Sequence, residues 1–260
     1  MFSESPLVSV ITVSYNAVNT IEKTIQSVLE QSYENIEFII IDGGSTDGTV
    51  DIIKKYKSDI SYWVSEKDNG IYEAMNKGIS LAKGEFIGIL NADDFYLKKA
   101  IELSVEKIQA TNSLYSFANV KHVGRNNTLR PIYPLEKGKV YQEMPYPHIS
   151  AFIAKKIYND VGLFDESFRI TSDHDMAMKI HIKNYKYCYL DKVIAEVERG
   201  GVTNSLLTNK EFMQVALKYN RNIIFAYFIY LKQIFNVLAV KVLPSVIVDL
   251  LQKIKKSRFR

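Results

Sequence analysis

The chain has 260 residues, 47% apolar and 24% charged, with a formal net charge of +4 and a single cysteine. This composition excludes a disordered chain and a disulfide-stapled miniprotein, and the length permits a sizeable core in one large domain or two small ones. The charge is split unevenly: residues 1–209 carry 23 Lys/Arg against 27 Asp/Glu, and residues 210–260 carry 10 against 2.

Val8–Ser14 is almost continuously apolar and β-branched, the pattern of a strand buried on both faces. No basic region precedes this first apolar run, so it reads as a core strand rather than a secretory signal. Tyr15-Asn16-Ala17 is a turn, and Val18, Ile21, Ile25, Val28 and Leu29 then recur at helical spacing. Ile36–Ile41 is a second buried strand. The run Asp42-Gly43-Gly44-Ser45-Thr46-Asp47-Gly48 is a turn, with Ser45 or Thr46 expected to cap a helix through Ile52, Ile53 and Tyr56.

Ile60–Val64 is a third strand. A helix from near Asn69 places Ile71, Met75, Ile79 and Ala82 on one face, and Phe86–Leu90 is a fourth strand. Strands and helices alternating at this length imply right-handed crossovers and a mostly parallel sheet. A helix is expected to follow Asp94 directly, through Ile101, Val105 and Ile108. After residue 112 the alternation stops. Leu114–Val123 and Thr128–Tyr133 read as antiparallel strands around a Gly124–Asn127 turn, Asp173–Lys183 as a short helix and Tyr187–Val197 as a strand. Gly200-Gly201 breaks the chain before two C-terminal helices.

In open parallel sheets, ligands bind beyond the carboxyl ends of the strands. Three expected strand ends carry polar side chains there: Ser14/Tyr15/Asn16, Asp42, and Asn91/Asp93/Asp94. Two adjacent carboxylates suit Mg2+ or Mn2+ held against substrate phosphates; solvated loop acids or a helix cap at Asp94 are the plain alternatives. Asp42 could accept a hydrogen bond from a base N–H, or serve only as a turn carboxylate. The turn after it is neither a Walker sequence nor a dinucleotide fingerprint. Asp173, near a helix start, reads as a general base or as a simple cap. No histidine pair has zinc spacing. His148 is the histidine expected to face the site, and Asp175 a second candidate for contact with an acceptor.

The ordered set VSVITVSYN, IEFIIIDGGSTDGT, SEKDNGIYEAMNKGI, GEFIGILNADDFY, FDESFRITSDHDMAMKI and GGVTNS closely resembles the family-two glycosyltransferases of GT-A fold, over about residues 7–205, and in particular the branch that builds bacterial surface polysaccharides. The resemblance implies an α/β fold with a mostly parallel sheet flanked by helices, spanning residues 1–205, followed by a helical extension over 206–260. It implies inverting transfer of a sugar from a nucleotide-diphosphate-sugar to a saccharide or lipid-linked saccharide acceptor. By position, Val13, Tyr15 and Asn16 line the base and ribose, and Asp42 meets the base. Asp93 holds Mn2+ or Mg2+ and the diphosphate. Asp173 deprotonates the acceptor, and Gly200-Gly201 form a turn near the donor phosphates. Two positions depart from the family pattern: Asn91 stands where an aspartate is common, and Ser172 where a glutamate precedes the base. Asn91 retains the capacity to bind ribose hydroxyls but brings no charge.

Two other readings remain open at this level. A nucleotidyltransferase would need a glycine-rich basic loop after its first strand, and Tyr15-Asn16-Ala17 is not one. A non-catalytic saccharide-binding relative would not need both Asp93 and Asp173. The aromatic, basic segment 222–260 is expected to lie on an anionic membrane surface, with a packed helix, a homodimer contact or a spanning helix as alternatives. The expected setting is cytoplasmic, at the inner face of the membrane, with no nucleic-acid partner.

Overall fold

The computed structural model describes residues 3–123, 128–129, 131, 133–135, 140–141, 143–197, 206–219, 224, 227 and 230–231. The chain divides into two compact units, residues 1–200 and 201–260.

The first unit is built on one sheet. Its strands are β1 (Val8–Ser14), β2 (Ile36–Asp42), β3 (Tyr62–Ser65), β4 (Phe86–Asn91), β5 (Asp94–Tyr96), β6 (Tyr115–His122), β7 (Thr128–Leu129), β8 (Phe152–Ala154) and β9 (Tyr187–Val197). The spatial order is β3-β2-β1-β4-β8-β6-β9-β5, with β7 beside β6. Pairs β1–β2, β1–β4, β2–β3 and β6–β9 are parallel, whereas β8 runs antiparallel to both neighbours. The helices are α1 (Ile21–Leu29), α2 (Thr49–Lys55), α3 (Ile71–Leu81), α4 (Ala100–Thr111), α5 (Lys155–Val161) and α6 (Ser172–Ile182).

Strand β1 is buried at every position, which explains its unbroken apolar run: it sits between β2 and β4 with a helix layer on its face. Helix α3 packs directly on this strand. Gly78 is what lets it approach, because a Cβ at that position would collide with Ile11 Cγ2. Tyr72, Ala74, Met75 and Ile79 form the buried face of α3. Ile71, expected on that face, is exposed instead, and Tyr72 takes its place by reaching across to donate its hydroxyl to the Ile170 carbonyl at 2.6 Å.

Several expectations are revised. Helix α2 starts at Thr49, not at Ser45 or Thr46; Gly48 enters it with φ +102°, and Asp47 accepts from the Thr49 amide and hydroxyl. Asp94 does not begin a helix. It begins strand β5, which buries Phe95 and Tyr96 by pairing antiparallel with β9. Strand β8 and helix α5 have no counterpart in the sequence reading, because a three-residue strand shows no period. The antiparallel pairing of β6 with β7 is present at Val120–Leu129, and Cys188 is a buried free thiol on β9. Gly124–Asn127 and Gly200-Gly201 lie outside the described residues.

In the second unit, α7 (Leu206–Tyr219) buries Thr208, Val215 and Ala216. Past it, the apolar side chains of Ile224, Tyr227 and Leu231 are exposed. Apart from these three and Tyr230, the segment 222–260 lies outside the described residues. Among the described residues no helix is long and apolar enough to cross a membrane.

The α3–β1 contact can be tested. Gly78→Ala gains about 1 kcal/mol of helix propensity and loses about 1–3 kcal/mol to overpacking. We expect a lower urea midpoint with an unchanged slope; a raised midpoint would show that Ile11 yields freely.

Candidate active site

The register of the parallel strands brings the polar strand ends together. Ser14 pairs with Asp42 across β1–β2, and Val13 pairs with Asn91 across β1–β4. One row of side chains therefore crowns the carboxyl edge of the sheet.

Asp42 is the centre of the first half of this row. It is fully buried, and its carboxylate accepts from Ser14 Oγ (2.8 Å), Ser45 Oγ (2.6 Å), Ser65 Oγ (2.6 Å) and the amides of Gly44 and Ser45 (3.1 and 2.9 Å). Burial alone would raise its pKa, but the hydrogen bonds from Ser45, Ser65 and Ser14 outweigh it and hold the carboxyl below its ordinary value. A carboxylate so enclosed organises the loop, and its oxygens are occupied by the loop's own donors. Asn16, at φ +48°, is tied to the same loop through the Thr46 amide to its Oδ1 and its own amide to Ser45 Oγ. Val13 contributes no side chain, being buried in the core with its carbonyl taken by the Ala92 amide. Tyr15, 67% exposed, is the aromatic group that the first strand end presents to solvent.

Sequence reasoning did not single out Asp68. Its carboxylate lies against Gly43, where a Cβ would come within 2.6 Å of Oδ2. Partial burial raises its pKa, aided by the charges of Glu73 and Asp42 and opposed by the Gly70 amide. The signal was available in Gly43 itself, the one glycine of its turn whose need is space rather than a positive φ.

The second half of the row is the turn Asn91-Ala92-Asp93-Asp94. Thr24 on α1 is buried, and its hydroxyl lies 2.9 Å from the Ala92 carbonyl and 2.8 Å from that of Asp94. These two carbonyls flank Asp93, so α1 fixes the turn from beneath. Asp93 is exposed and makes no hydrogen bond or ion pair among the described residues, whereas Asp94 is buried and accepts from Asn91 Nδ2 at 3.0 Å. Among the described residues no three His, Cys, Asp or Glu side chains converge as a metal cage. The fit is to a hard cation that takes one protein carboxylate, Asp93, and completes its shell with phosphate and water oxygens.

Asp173 lies in the first turn of α6, where the helix dipole favours a carboxylate. Its Oδ1 accepts from the His174 amide at 2.8 Å, and its Oδ2 is 3.5 Å from His148 Nδ1. His148 heads a short 3₁₀ turn, His148–Ser150, before β8. Its other ring nitrogen, Nε2, is 3.4 Å from Asn91 Nδ2. Burial lowers the His148 pKa, but the hydrogen bond to Asp173 and the charges of Asp173, Asp94 and Asp93 prevail and raise it. Both ring nitrogens thus face groups of the protein, Nδ1 toward Asp173 and Nε2 toward Asn91. Asp175, the second candidate for an acceptor contact, is fully buried and pairs with Lys179 at 3.4 Å. Behind the His148–Asp173 pair lies a cavity of about 20 Å³, walled by Ile89, Tyr146, Tyr158, Phe164 and Met176. It has room for about one water.

A family model for glycosyl transferase family 2 matches residues 9–168. The chain belongs to this family. An uncharacterised glycosyltransferase of Mycobacterium tuberculosis is 32% identical over 183 residues, covering 68% of this chain and 70% of that protein. TuaG of Bacillus subtilis, assigned to teichuronic acid biosynthesis, is 37% identical over 140 residues, 53% of this chain and 54% of its own. In fold, the chain is similar to S. aureus TarS in complex with UDP-GlcNAc (TM-score 0.68, 19% identity, 88% of this chain and 72% of that one). It is also similar to a Pyrobaculum calidifontis mannosyltransferase in complex with GDP-Man and Mn2+ (TM-score 0.64, 19% identity, 99% and 82%). Family membership sets aside the nucleotidyltransferase reading.

The enclosure of Asp42 predicts an acid-sensitive loop. Its folded pKa lies below the unfolded value of about 3.9, so its contribution is full above that pH and is lost as pH falls through the folded value. Asp42→Asn should cost about 1–3 kcal/mol near neutral pH. The gap to wild type should close on acidification, measured as denaturant midpoints across the acid range. A gap that is independent of pH would contradict the charged, hydrogen-bonded state.

Proposed function

We propose that this glycosyltransferase is an inverting enzyme. It moves a sugar from a nucleotide-diphosphate-sugar to a hydroxyl of a saccharide acceptor, lipid-linked, in bacterial surface-polysaccharide assembly. The observation that carries the reading is Asp93, exposed and without a partner among the described residues, on a turn held by Thr24, together with Asp173 on a separate element, linked through His148 and Asn91. The names of the relatives, teichuronic acid biosynthesis among them, support the polymer context.

In this mechanism Tyr15 and Asn91 border the nucleoside. Asp68 takes the base contact in place of Asp42, which its own loop encloses. Gly200-Gly201 remain assigned to the donor phosphates. Asp93 is the residue that would hold Mn2+ or Mg2+, and a bound cation supplies neutralisation of the charge that develops on the leaving diphosphate. Asp173 accepts the proton of the acceptor hydroxyl as its oxygen attacks the anomeric carbon opposite the leaving group. A single displacement requires no enzyme nucleophile.

A panel of nucleotide sugars with Mn2+ or Mg2+, scored for donor hydrolysis and for protection against melting, identifies the donor. On that donor, Asp173→Asn should bind normally and lose about 10²–10⁴ in transfer rate; near-normal transfer would remove Asp173 as base. Asp93→Ala should abolish the metal-dependent part of nucleotide binding while the melting curve without ligand is unchanged. Metal-dependent binding that survives would move the cation elsewhere.

The tail is read as a membrane contact. Its 10 basic residues against 2 acidic, and the exposed Ile224, Tyr227 and Leu231, combine an electrostatic with an apolar component. The full chain should co-sediment with anionic liposomes. Replacing Lys253, Lys255, Lys256, Arg258 and Arg260 by Gln should weaken this strongly, and salt should do the same because exposed charges are screened within about 8–10 Å. A tail-independent interaction, or a dimer in place of liposome binding, would overturn the assignment.

A further inference from the structure

The hydrogen bonds around His148 have a direction that can be deduced. The Asn91 amide group Nδ2 can only donate, and Asp94 Oδ2 accepts from it at 3.0 Å. Reversing the amide would set Asn91 Oδ1 against the Asp94 carboxylate, an acceptor against an acceptor. The second hydrogen of the same NH2 group is then available to His148 Nε2, 3.4 Å away. A nitrogen that accepts carries no proton, so the ring proton sits on Nδ1, and Nδ1 faces Asp173 Oδ2 at 3.5 Å. The chain Asp94–Asn91–His148–Asp173 is therefore a directed series of donors and acceptors. The charged groups that face the imidazole along it are Asp173 from α6 and Asp93 and Asp94 from the turn after β4.

We propose that Asn91 and His148 form a positioning relay for Asp173, in which the Asn91 amide turns the His148 Nδ1–H toward the carboxylate and so orients it for the acceptor. The inference rests on the reading of Asp173 as base. It also gives a reason for asparagine at position 91. An aspartate there would accept rather than donate, would call the ring proton to Nε2, and would leave Asp173 without its neutral donor. The relay ties the base to the turn that carries Asp93, so the two halves of the site are set by one hydrogen-bond chain rather than by two independent loops. His148 is held for this duty by the 3₁₀ turn, where Ser150 Oγ donates to the Pro147 carbonyl at 2.8 Å and accepts from the Ala118 amide at 3.2 Å.

Two amide substitutions separate the two ring nitrogens. In His148→Asn the side-chain amide falls near the Nδ1 position and restores the donor to Asp173. In His148→Gln it reaches the Nε2 position and leaves Asp173 without one. On full-length enzyme, His148→Gln should lower kcat by about tenfold, a part of the 10²–10⁴ that a general base supplies, with donor KM little changed. His148→Asn should keep most of kcat. Equal losses in both variants would overturn the relay and leave His148 a packing residue. A second readout does not depend on activity. Long-range ¹H–¹⁵N spectra of the free protein, taken above the imidazole titration and assigned by the signal missing in His148→Asn, should show His148 as the Nδ1–H tautomer. That signature should be lost in Asn91→Asp. An Nε2–H tautomer in wild type, or an unchanged spectrum in Asn91→Asp, would overturn the proposal even if Asp173 is the base. A normal Nδ1–H signature with an Asp173→Asn enzyme that still transfers would instead refute the base assignment.

Discussion

Everything at this site depends on the pairing of one strand. β1 lies between β2 and β4 and is parallel to both, so the register that seals the core also lines up Ser14, Asp42 and Asn91 at one edge. A shift by one residue would exchange the two packed faces of β1 and scatter these groups. The burial of seven consecutive residues makes that shift prohibitively costly. Function here is an end-effect of core packing: the polar groups stand where the chain leaves the sheet.

The two halves of the row are then held in different ways. The Asp42 half is a closed hydrogen-bonded loop in which three serine hydroxyls and two amides surround one carboxylate. The Asp93 half is open. Thr24 holds its backbone from below and Asn91 holds Asp94 inward, which leaves Asp93 free toward solvent. The proposed exchange of cation and diphosphate at Asp93 calls for an exposed carboxylate, and a carboxylate that holds a loop is enclosed. Residue type is the same in both cases; the neighbours decide the role.

The first four strands and the helices between them were legible in the sequence because buried parallel strands read as continuous apolar runs. Strand β9 was legible to the residue. Strands β5 and β8 were not, since three residues carry no period and their pairing is entirely non-local. Of the site, Asp93 and Asp173 stood out by position and by family resemblance. The neighbours that give the others their roles did not. Nothing in the sequence shows that His148 spends both nitrogens on Asp173 and Asn91, that Asp175 is buried against Lys179, or that Gly43 makes room for Asp68. Asp175 and Lys179 lie one helical turn apart, and the other contacts join residues 25 to 57 positions apart that only the fold brings together.

The central claim is a single displacement in which Asp173 serves the acceptor on the side opposite the diphosphate, and the stereochemistry of the product tests it most directly. With a nucleotide sugar of known anomeric configuration and an accepted saccharide, NMR of the anomeric carbon–proton coupling in the product fixes the configuration of the new linkage. The account predicts inversion. A product that retains the donor's configuration would contradict it, because retention requires a second displacement or a same-face attack.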